Sequence, residues 1–340
     1  MLCAAQAAHA DCKLQQLANI PISFVNNQPM VEASINGKPA HLRFALNNAT
    51  FFWGSVLKDY GLKEEVSYSL GKAFGPGGSA DVTTVSIREF KIGNAVQKGA
   101  HYYVAPDYKK PDEAGLFGTG LFNGVNDVEL DFAHNVVRVF KAADCKGDDV
   151  LYWGGSYSVV DETQFGLLPV KLSGVTVNGA LGVGNEVTFV TSDGARRAGV
   201  ASHAASTLPM GMLAAGAVRP LDVVIANFPE IVIGDETIKN APLAVGNIWP
   251  PEDIETTVVV GADFLGDQSI QIFGRQRKYI DVMPEIVLGT DFIKSHRIYI
   301  SGSQKKVYIS YIGGALFEDI YARLGAEDPR KTPSKAVGGQ

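Results

Sequence analysis

Carboxylates are the side chains of this sequence that remain candidates for chemistry once the other reactive types are considered. The histidines are scattered, without the HxH or HExxH spacing of a metal site. No G-x-S-x-G elbow is present, and Cys12 and Cys145 have no adjacent histidine, which argues against a nucleophilic hydrolase. The glycine pairs at 118–120 and 182–184 lack the strand–glycine–helix context and the lysine of a phosphate-binding loop. We therefore expect neither a metal nor a cofactor.

The aspartates offer few contexts that suit catalysis. Asp193 precedes Gly194-Ala195, as a carboxylate in a tight loop would, although the same residues also suit the start of a helix. Asp263 and Asp291 each follow a glycine step and precede apolar residues, which predicts helix N-caps. Asp81 lies in a glycine-rich hairpin, where a solvated or turn role fits. Asp193 is thus a remote catalytic candidate, with Asp81 and Asp291 as further positions to test.

The elements that must position these side chains are mostly strands. Short β-branched runs separated by glycine, proline or asparagine fill most of the chain, and 37 glycines accompany a hydrophobic fraction of 46%. Helix candidates are short, at 55–60, 193–199 and 292–295. At 340 residues the chain exceeds the usual size of one domain, which favours two lobes.

The two halves echo each other. The motif Ser-Ile-Asn-Gly at 34–37 is matched by Thr-Val-Asn-Gly at 176–179, and Leu-Phe-Gly at 116–118 by Val-Leu-Gly at 287–289. This order predicts a duplicated β-lobe. Inside the second half, the segment 258–265 resembles 286–293. We expect the later copy to fill the lobe's apolar-apolar-Gly position, because a closing hairpin follows it, and the earlier copy to belong to an insertion at about 258–285.

This order of motifs resembles the retropepsin-like aspartic proteases in their exported, two-lobed form. The resemblance covers residues 11–317 and is most specific in Ile20-Pro21-Ile22, Ile35-Asn36-Gly37, and the runs at 77–82, 234–240 and 288–292. It implies a mostly β fold of two acid-protease β-barrel lobes in a pepsin-like bilobal arrangement. In that family each lobe donates one aspartate from an Asp-Thr/Ser-Gly-Ala loop, and the two carboxylates share a proton and activate water against a peptide bond.

Neither half keeps that aspartate. In the first half the motif position falls on Asn47-Asn48-Ala49-Thr50, so an amide replaces the carboxylate. In the second, counting back from Phe189 places Gly182 at the aspartate position, with a run after the Asn-Gly motif that looks several residues short. No catalytic residue is therefore assigned. The resemblance implies a binding cleft formed by Asn47, Asn48, Ala49, Thr50, Gly182, Val183, Gly184, Asn185, Gly77 and Gly78.

The N-terminus and the cysteines suggest export. Residues 1–10 end in Ala8-His9-Ala10, as the tail of a signal peptide does, and cleavage there would leave only Cys12 and Cys145. Two remaining cysteines in an oxidising compartment predict one disulfide, with two free thiols as the alternative. A periplasmic or extracellular location follows. The net charge of -6, without a Lys/Arg-rich run, argues against nucleic acid as a partner, and no apolar stretch has the length of a membrane span.

The predicted organisation is a signal remnant at 1–10, a first lobe at 11–145, a linker at 146–167, a second lobe at 168–317 and a tail at 318–340. Three functions stay open. The favoured one is a non-catalytic pseudoprotease that binds an extended peptide or protein segment. The alternatives are an active aspartic endopeptidase whose dyad lies elsewhere, and a structural or assembly module that uses a sheet edge or the insertion. The sequence does not decide the oligomeric state.

Overall fold

The computed structural model describes residues 12–46, 49–65, 72–75, 78–105, 113–118, 127–163, 166–200, 202–208, 221–247, 249, 259–260, 283–317 and 320–323. The predicted signal remnant and most of the predicted insertion and tail lie outside these ranges. Within them the chain is dominated by strands, as the β-branched runs predict.

In the described residues of the first half there are thirteen strands and three short 3-10 helices. The helices are Gly54–Tyr60, Phe132–His134 and Gly147–Val150. The strands are β1 (Lys13–Pro21), β2 (Ser23–Val25), β3 (Gln28–Ile35), β4 (Lys38–Ala45), β5 (Phe51–Trp53), β6 (Glu64–Glu65), β7 (Lys72–Gly75), β8 (Gly78–Asp81), β9 (Thr83–Ile92), β10 (Ala95–Ala105), β11 (Gly115–Gly118), β12 (Asp127–Asp131) and β13 (Val136–Ala143).

The described residues of the second half again form mostly strands, together with three short α-helices, α1 (Ser192–Arg197), α2 (Thr290–Ile293) and α3 (Ile320–Arg323). All three predicted short helices are observed within a few residues of their expected positions, one as a 3-10 helix. The strands are β14 (Ser158–Asp161), β15 (Leu168–Leu172), β16 (Val175–Leu181), β17 (Phe189–Thr191), β18 (Ser202–Leu208), β19 (Leu221–Ile233), β20 (Glu236–Gly246), β21 (Val259–Val260), β22 (Ile286–Leu288), β23 (His296–Ser301) and β24 (Lys306–Tyr311).

Each half closes a six-stranded barrel. The first runs β3-β4-β11-β5-β10-β9 and closes through the β3–β9 pair, and the second runs β15-β16-β22-β17-β20-β19 and closes through β15–β19. In both barrels the central strand, β11 or β22, pairs in parallel with β4 or β16 on one side and antiparallel with β5 or β17 on the other. This repeated topology confirms the duplicated, two-lobed β fold, and β22 is the copy that was expected to fill the apolar-apolar-Gly position.

A third sheet joins the halves. Its order, β1-β13-β12-β23-β24-β14, is symmetric, because β12 pairs with β23 at its centre and each half adds one further hairpin strand and one edge strand. Strand β14 lies inside the segment predicted as a linker, where it takes the place that β1 takes in the first half. Asp127 and Asp131 lie on the central strand β12, which strands from both halves flank.

The hairpin turns show that the Asn-Gly motifs of the two halves, at 36–37 and 178–179, do not occupy equivalent positions. Asn36 and Gly37 both have positive φ, 51° and 83°, as a two-residue hairpin turn requires. The matching Asn178-Gly179 does not form a turn and lies within β16. The turn between β15 and β16 is formed by Ser173-Gly174, with φ of 48° and 87°.

Candidate functional site

In each half, a threonine hydroxyl accepts a hydrogen bond from the backbone N–H of the glycine in the apolar-apolar-Gly motif. Gly118 donates its backbone N–H to Oγ1 of Thr50, with an N···O distance of 3.2 Å. Gly289 donates to Oγ1 of Thr188 in the same way, at 2.8 Å. Both threonines are buried and directly precede a strand, β5 or β17. Thr50 was expected in the cleft, whereas Thr188 was missed because the sequence comparison did not equate the two positions.

The strand register gives a second way to match the loops. The last apolar residue of the apolar-apolar-Gly motif is Phe117 in the first half and Leu288 in the second. Phe117 pairs with Phe44 in β4, and Leu288 pairs with Leu181 in β16. Three residues after these come Asn47 and Gly184. By this register Gly184 corresponds to Asn47, two residues beyond the Gly182 that the motif comparison gives. The loop before the buried threonine is one residue longer in the second half than in the first. The apparent shortening came from taking Asn178-Gly179 as the turn.

The described part of the first-half loop is small. Asn47 and Asn48 lie outside the described residues, as does Gly77. Ala49 is half-buried and packs beside a small apolar cluster that includes Phe51 and Trp53. Gly78 begins strand β8, which pairs with β7 to form the glycine-rich hairpin, called the flap hairpin below.

The second-half loop is hydrogen-bonded along its length. Gly182 donates its N–H to the carbonyl of Leu288 at 2.8 Å, and its own carbonyl accepts from the N–H of Asn185 at 2.8 Å. Thr290 then holds the loop from α2, because its hydroxyl donates to the carbonyl of Val183 at 2.8 Å and its N–H to that of Asn185 at 2.7 Å. Gly182, Val183, Gly184 and Asn185 are all buried. These contacts make the loop a packed element of the second barrel.

Position 182 has no room for a side chain. A Cβ there would lie 2.1 Å from Nδ2 of Asn185 and 2.3 Å from Cγ1 of Val287, well inside van der Waals contact. The amide of Asn185 therefore fills the volume beside Gly182. Asn185 is 2% exposed, and within the described part of the chain its Oδ1 has no hydrogen-bond partner.

Asp291 fastens this loop instead of capping α2. The helix begins at Thr290 after Gly289, so the predicted N-cap role of Asp291 is wrong. Its Oδ2 accepts the backbone N–H of Thr188 at 3.0 Å, and its Oδ1 accepts the Thr188 hydroxyl at 2.7 Å. Both carboxylate oxygens are thereby committed to a buried threonine, which is a structural role.

The other candidate aspartates lie apart from the loops. Asp193 lies in the first turn of α1. Its side chain is exposed, and its Oδ1 lies 3.0 Å from Nη2 of Arg196. The cap of that helix is Thr191, whose hydroxyl accepts the N–H of Gly194 at 3.0 Å. Asp81 ends strand β8, and Asp263 lies outside the described residues.

Two buried carboxylates do meet on the sheet that joins the halves, but arginines neutralise them. Nη1 of Arg138 lies 2.8 Å from Oε2 of Glu129 and 2.9 Å from Oδ2 of Asp131, and Nε of Arg297 lies 2.5 Å from Oε1 of Glu129. Burial opposes ionisation of Asp131, but hydrogen bonds from His134 and Arg138 outweigh it and lower its pKa. Carboxylates that are bridged by guanidinium groups differ from a dyad that shares a proton. Because Arg297 comes from the second half and Glu129 from the first, this cluster links the two halves.

A cavity of about 630 Å³ opens on the first half, outside the predicted cleft residues. Its walls come from β2, β3, β4, the 3-10 helix Gly54–Tyr60 and the residues just before β11. The turn between β2 and β3 also reaches the second half. Asn27 donates from Nδ2 to the carbonyl of Glu186 at 2.8 Å, and its Oδ1 accepts from Nζ of Lys294 at 2.8 Å. One wall of the cavity is thus fixed to the loop that contains Asn185.

The predicted disulfide is confirmed. Cys12 and Cys145 are bonded across a sequence separation of 133, next to the paired ends of β1 and β13. Within the described ranges, no group of three or more His, Cys, Asp or Glu side chains could hold a metal. A search of those same residues finds no helix that is both long and apolar enough to cross a membrane.

No family model matches this sequence, and no curated protein does. Among solved structures, the chain is similar to an aspartic proteinase from Irpex lacteus, with 10% sequence identity over 92% of this chain and 100% of that one, and a TM-score of 0.44. A similarity this low supports no inference about activity. The two barrels and the shared sheet described above are what establish the mostly β, two-lobed fold.

Proposed function

We propose that this chain is a non-catalytic aspartic-protease-like protein that binds an extended peptide or protein segment. Aspartic-protease chemistry needs two facing carboxylates that share a proton. The position matched by motif is Asn47 in the first half and Gly182 in the second, and Gly184 is the alternative when the count starts from the strand register. Neither an amide nor a glycine can act as the general base.

The observation that carries this proposal is the packing around Gly182. The loop is buried and hydrogen-bonded, and the space beside Gly182 is filled by the amide of Asn185. A carboxylate cannot be added at 182 without displacing Asn185 or Val287. Asp291, on the helix that holds this loop, already has both oxygens engaged by Thr188.

Binding of an extended segment is supported by the backbone of the flap hairpin. Strand β21, from the predicted insertion, pairs in parallel with β7 through Val259 and Val260. The edge of the hairpin therefore accepts an added strand, which is the interaction by which sheet-edge binding sites hold peptides. Since the edge and the barrel walls do not depend on a catalytic pair, they can hold a ligand that is never cleaved.

The test combines turnover and binding. The purified protein is incubated with fluorescein-labelled casein from pH 3 to pH 7, with and without a pepstatin-type inhibitor, and we expect no inhibitor-sensitive cleavage. Fluorescence polarisation with labelled unstructured peptides is expected to show saturable binding. Ser79→Pro, which removes a backbone donor from β8, should weaken that binding, while the matched surface variant Gly154→Ala should not.

Two results would point to the other functions. Acid-optimal cleavage that the inhibitor blocks would establish an active endopeptidase and end the proposal. Deleting residues 258–285 separates binding from assembly: the proposal expects peptide binding to persist, because the barrels remain. Loss of a protein partner with unchanged peptide binding would instead favour an assembly module that uses the insertion.

Export is part of the same proposal. The disulfide between Cys12 and Cys145 suits an oxidising compartment, and its half-exposed sulfurs would be open to reduction in the cytosol. Fractionation of cells that express the chain tests this. Recovery in the cytosolic fraction with both thiols free would contradict it.

A further inference from the structure

The cavity on the first half has a buried carboxylate in its wall. Glu113 is 4% exposed and comes directly before β11, so the rigid centre of the barrel positions it. Its Oε1 accepts from a guanidinium nitrogen of Arg43 and from Nε1 of Trp53, the latter at 3.3 Å. Within the described part of the chain, its Oε2 has no hydrogen-bond partner. Since Glu113 lines the cavity, a donor group of a ligand there can reach this second oxygen.

The remaining charge around the cavity is negative. Asp59 is exposed at the rim, and no ion pair to its carboxylate is found among the described residues. Glu32 at the same rim pairs with His41 at 2.9 Å. Burial and then the charge of Asp59 raise the pKa of Tyr60 beside it, as a local excess of negative charge does.

Two cations approach this region but do not occupy the cavity. Arg43 is fully buried behind Glu113 and is not part of the lining. Lys38 donates from Nζ to the backbone carbonyl of Asp59 at 2.6 Å, on the outside of the rim. A cation within the cavity would therefore face Asp59 and the second oxygen of Glu113, whose first oxygen is paired with Arg43.

Part of the wall is apolar. Val25, Met30 and Val56 line the cavity, and Val25 is 46% exposed. Such a wall suits a methylene chain whose charged end reaches Glu113, since long cationic side chains bury their stems in this way.

We propose that this cavity binds a primary amine carried on an aliphatic stem, either a lysine side chain of a partner protein or a free alkyl diamine. An ammonium suits the site better than a guanidinium. Only one oxygen of Glu113 is open, so the two-pronged contact that favours arginine cannot form, whereas a point-like ammonium needs one acceptor. The inference does not depend on whether the protease-like cleft holds a peptide.

Calorimetric titration of the full chain at low salt tests the proposal with four probes. They are 1,5-diaminopentane, Nα-acetyl-lysine amide, its arginine counterpart, and Nα-acetyl-norleucine amide, which keeps the stem without the charge. We expect saturable binding of an amine, weakened by salt, with the arginine probe weaker and the norleucine probe inactive. Binding of the diamine alone assigns a free small molecule, and binding of the lysine probe assigns a protein side chain; both support the amine site.

Matched variants locate the site. Glu113→Gln should reduce amine affinity about tenfold or more, because a charge-assisted contact is lost. Asp59→Asn should reduce it by about two- to fivefold, as an exposed pair does, and Lys38→Met should raise it slightly. Asp193→Asn removes an equally exposed carboxylate in the other half and should change nothing.

The proposal remains testable if Glu113→Gln fails to fold, because Asp59 and Lys38 are on the surface. It is overturned if the norleucine probe binds as well as the lysine probe. It is also overturned if no amine binds, or if Asp59→Asn and Lys38→Met leave amine affinity at the level of Asp193→Asn.

Discussion

Restoring an aspartate at Gly182 should damage the second barrel before it creates any activity. The added Cβ would lie 2.1 Å from Nδ2 of Asn185 and 2.3 Å from Cγ1 of Val287, so both neighbours must move. Overpacking of this kind costs about 1–3 kcal/mol, and two contacts this short place Gly182→Ala near the upper end. Gly182→Asp adds a buried carboxylate without a cation to pair with, so its cost should exceed that of alanine.

The effect of Gly182→Asp should also depend on pH. Burial raises the pKa of a carboxyl group above its unfolded value, so the folded state favours the protonated form. The variant should therefore lie closest to Gly182→Ala in acid, and lose further stability as pH rises above the ordinary aspartate range. Urea unfolding followed by tryptophan fluorescence at several pH values measures both effects. Gly154→Ala is the control, because a Cβ at 154 meets open space.

A double-mutant cycle shows whether Asn185 is the obstacle. Asn185→Ala removes the amide that crowds position 182, so Gly182→Ala should cost less in that background. We expect a coupling of about 0.5–3 kcal/mol, the range for residues in contact. Two results would refute the packing argument. One is a Gly182→Ala variant as stable as the wild type, and the other is a double variant whose loss of stability equals the sum of the losses in the two single variants.

Other predictions concern the groups that hold the two halves in place. Asp291→Ala should destabilise by about 2–3 kcal/mol in urea unfolding, since it leaves the buried N–H and hydroxyl of Thr188 without their acceptor, and Asp291→Asn should recover part of the loss. Burial raises the pKa of Asp127, so ionisation of this carboxyl group costs the folded state stability as pH rises above about 3.8. The stability of Asp127→Asn relative to the wild type should therefore increase from pH 3 to pH 7. A stability difference that does not change with pH would contradict this. Asp131 has a lowered pKa, so its contribution is present at neutral pH and lost in acid; Asp131→Asn should be destabilised by about 1–3 kcal/mol at pH 7 and converge with the wild type at low pH. Cys145→Ser should cost about 2–5 kcal/mol under non-reducing conditions, and a reductant should remove the difference from the wild type.

The repeated order of strands was predictable because it depends on local patterns. β-branched runs and the Asn36-Gly37 turn mark a hairpin wherever it occurs, and the Leu-Phe-Gly and Val-Leu-Gly motifs identify the central strand of each barrel. The choice of the second apolar-apolar-Gly copy also rested on local information, namely the hairpin that follows it. The cysteine count limited the disulfide to one pair.

The match between the two loops could not be read locally. Asn178-Gly179 has the composition of a turn, but its backbone is in β16 because Ser173-Gly174 already reverses the chain. Only the pairing of Leu181 with Leu288, more than a hundred residues away, fixes the register of the loop. Taking Asn178-Gly179 as the turn therefore changed the residue count from the turn to this loop.

The sequence by itself predicted a β-rich, duplicated chain with one disulfide between Cys12 and Cys145, and its resemblance to aspartic proteases placed an amide and a glycine where that family's motif has aspartate. Residue identity and local turn chemistry are sufficient for those conclusions. The tertiary structure decided that Gly182 is enclosed by Asn185, that Asp291 holds Thr188, and that Glu113 faces a cavity with one oxygen free. These features arise from contacts between segments far apart in the chain, whose distances no local pattern specifies.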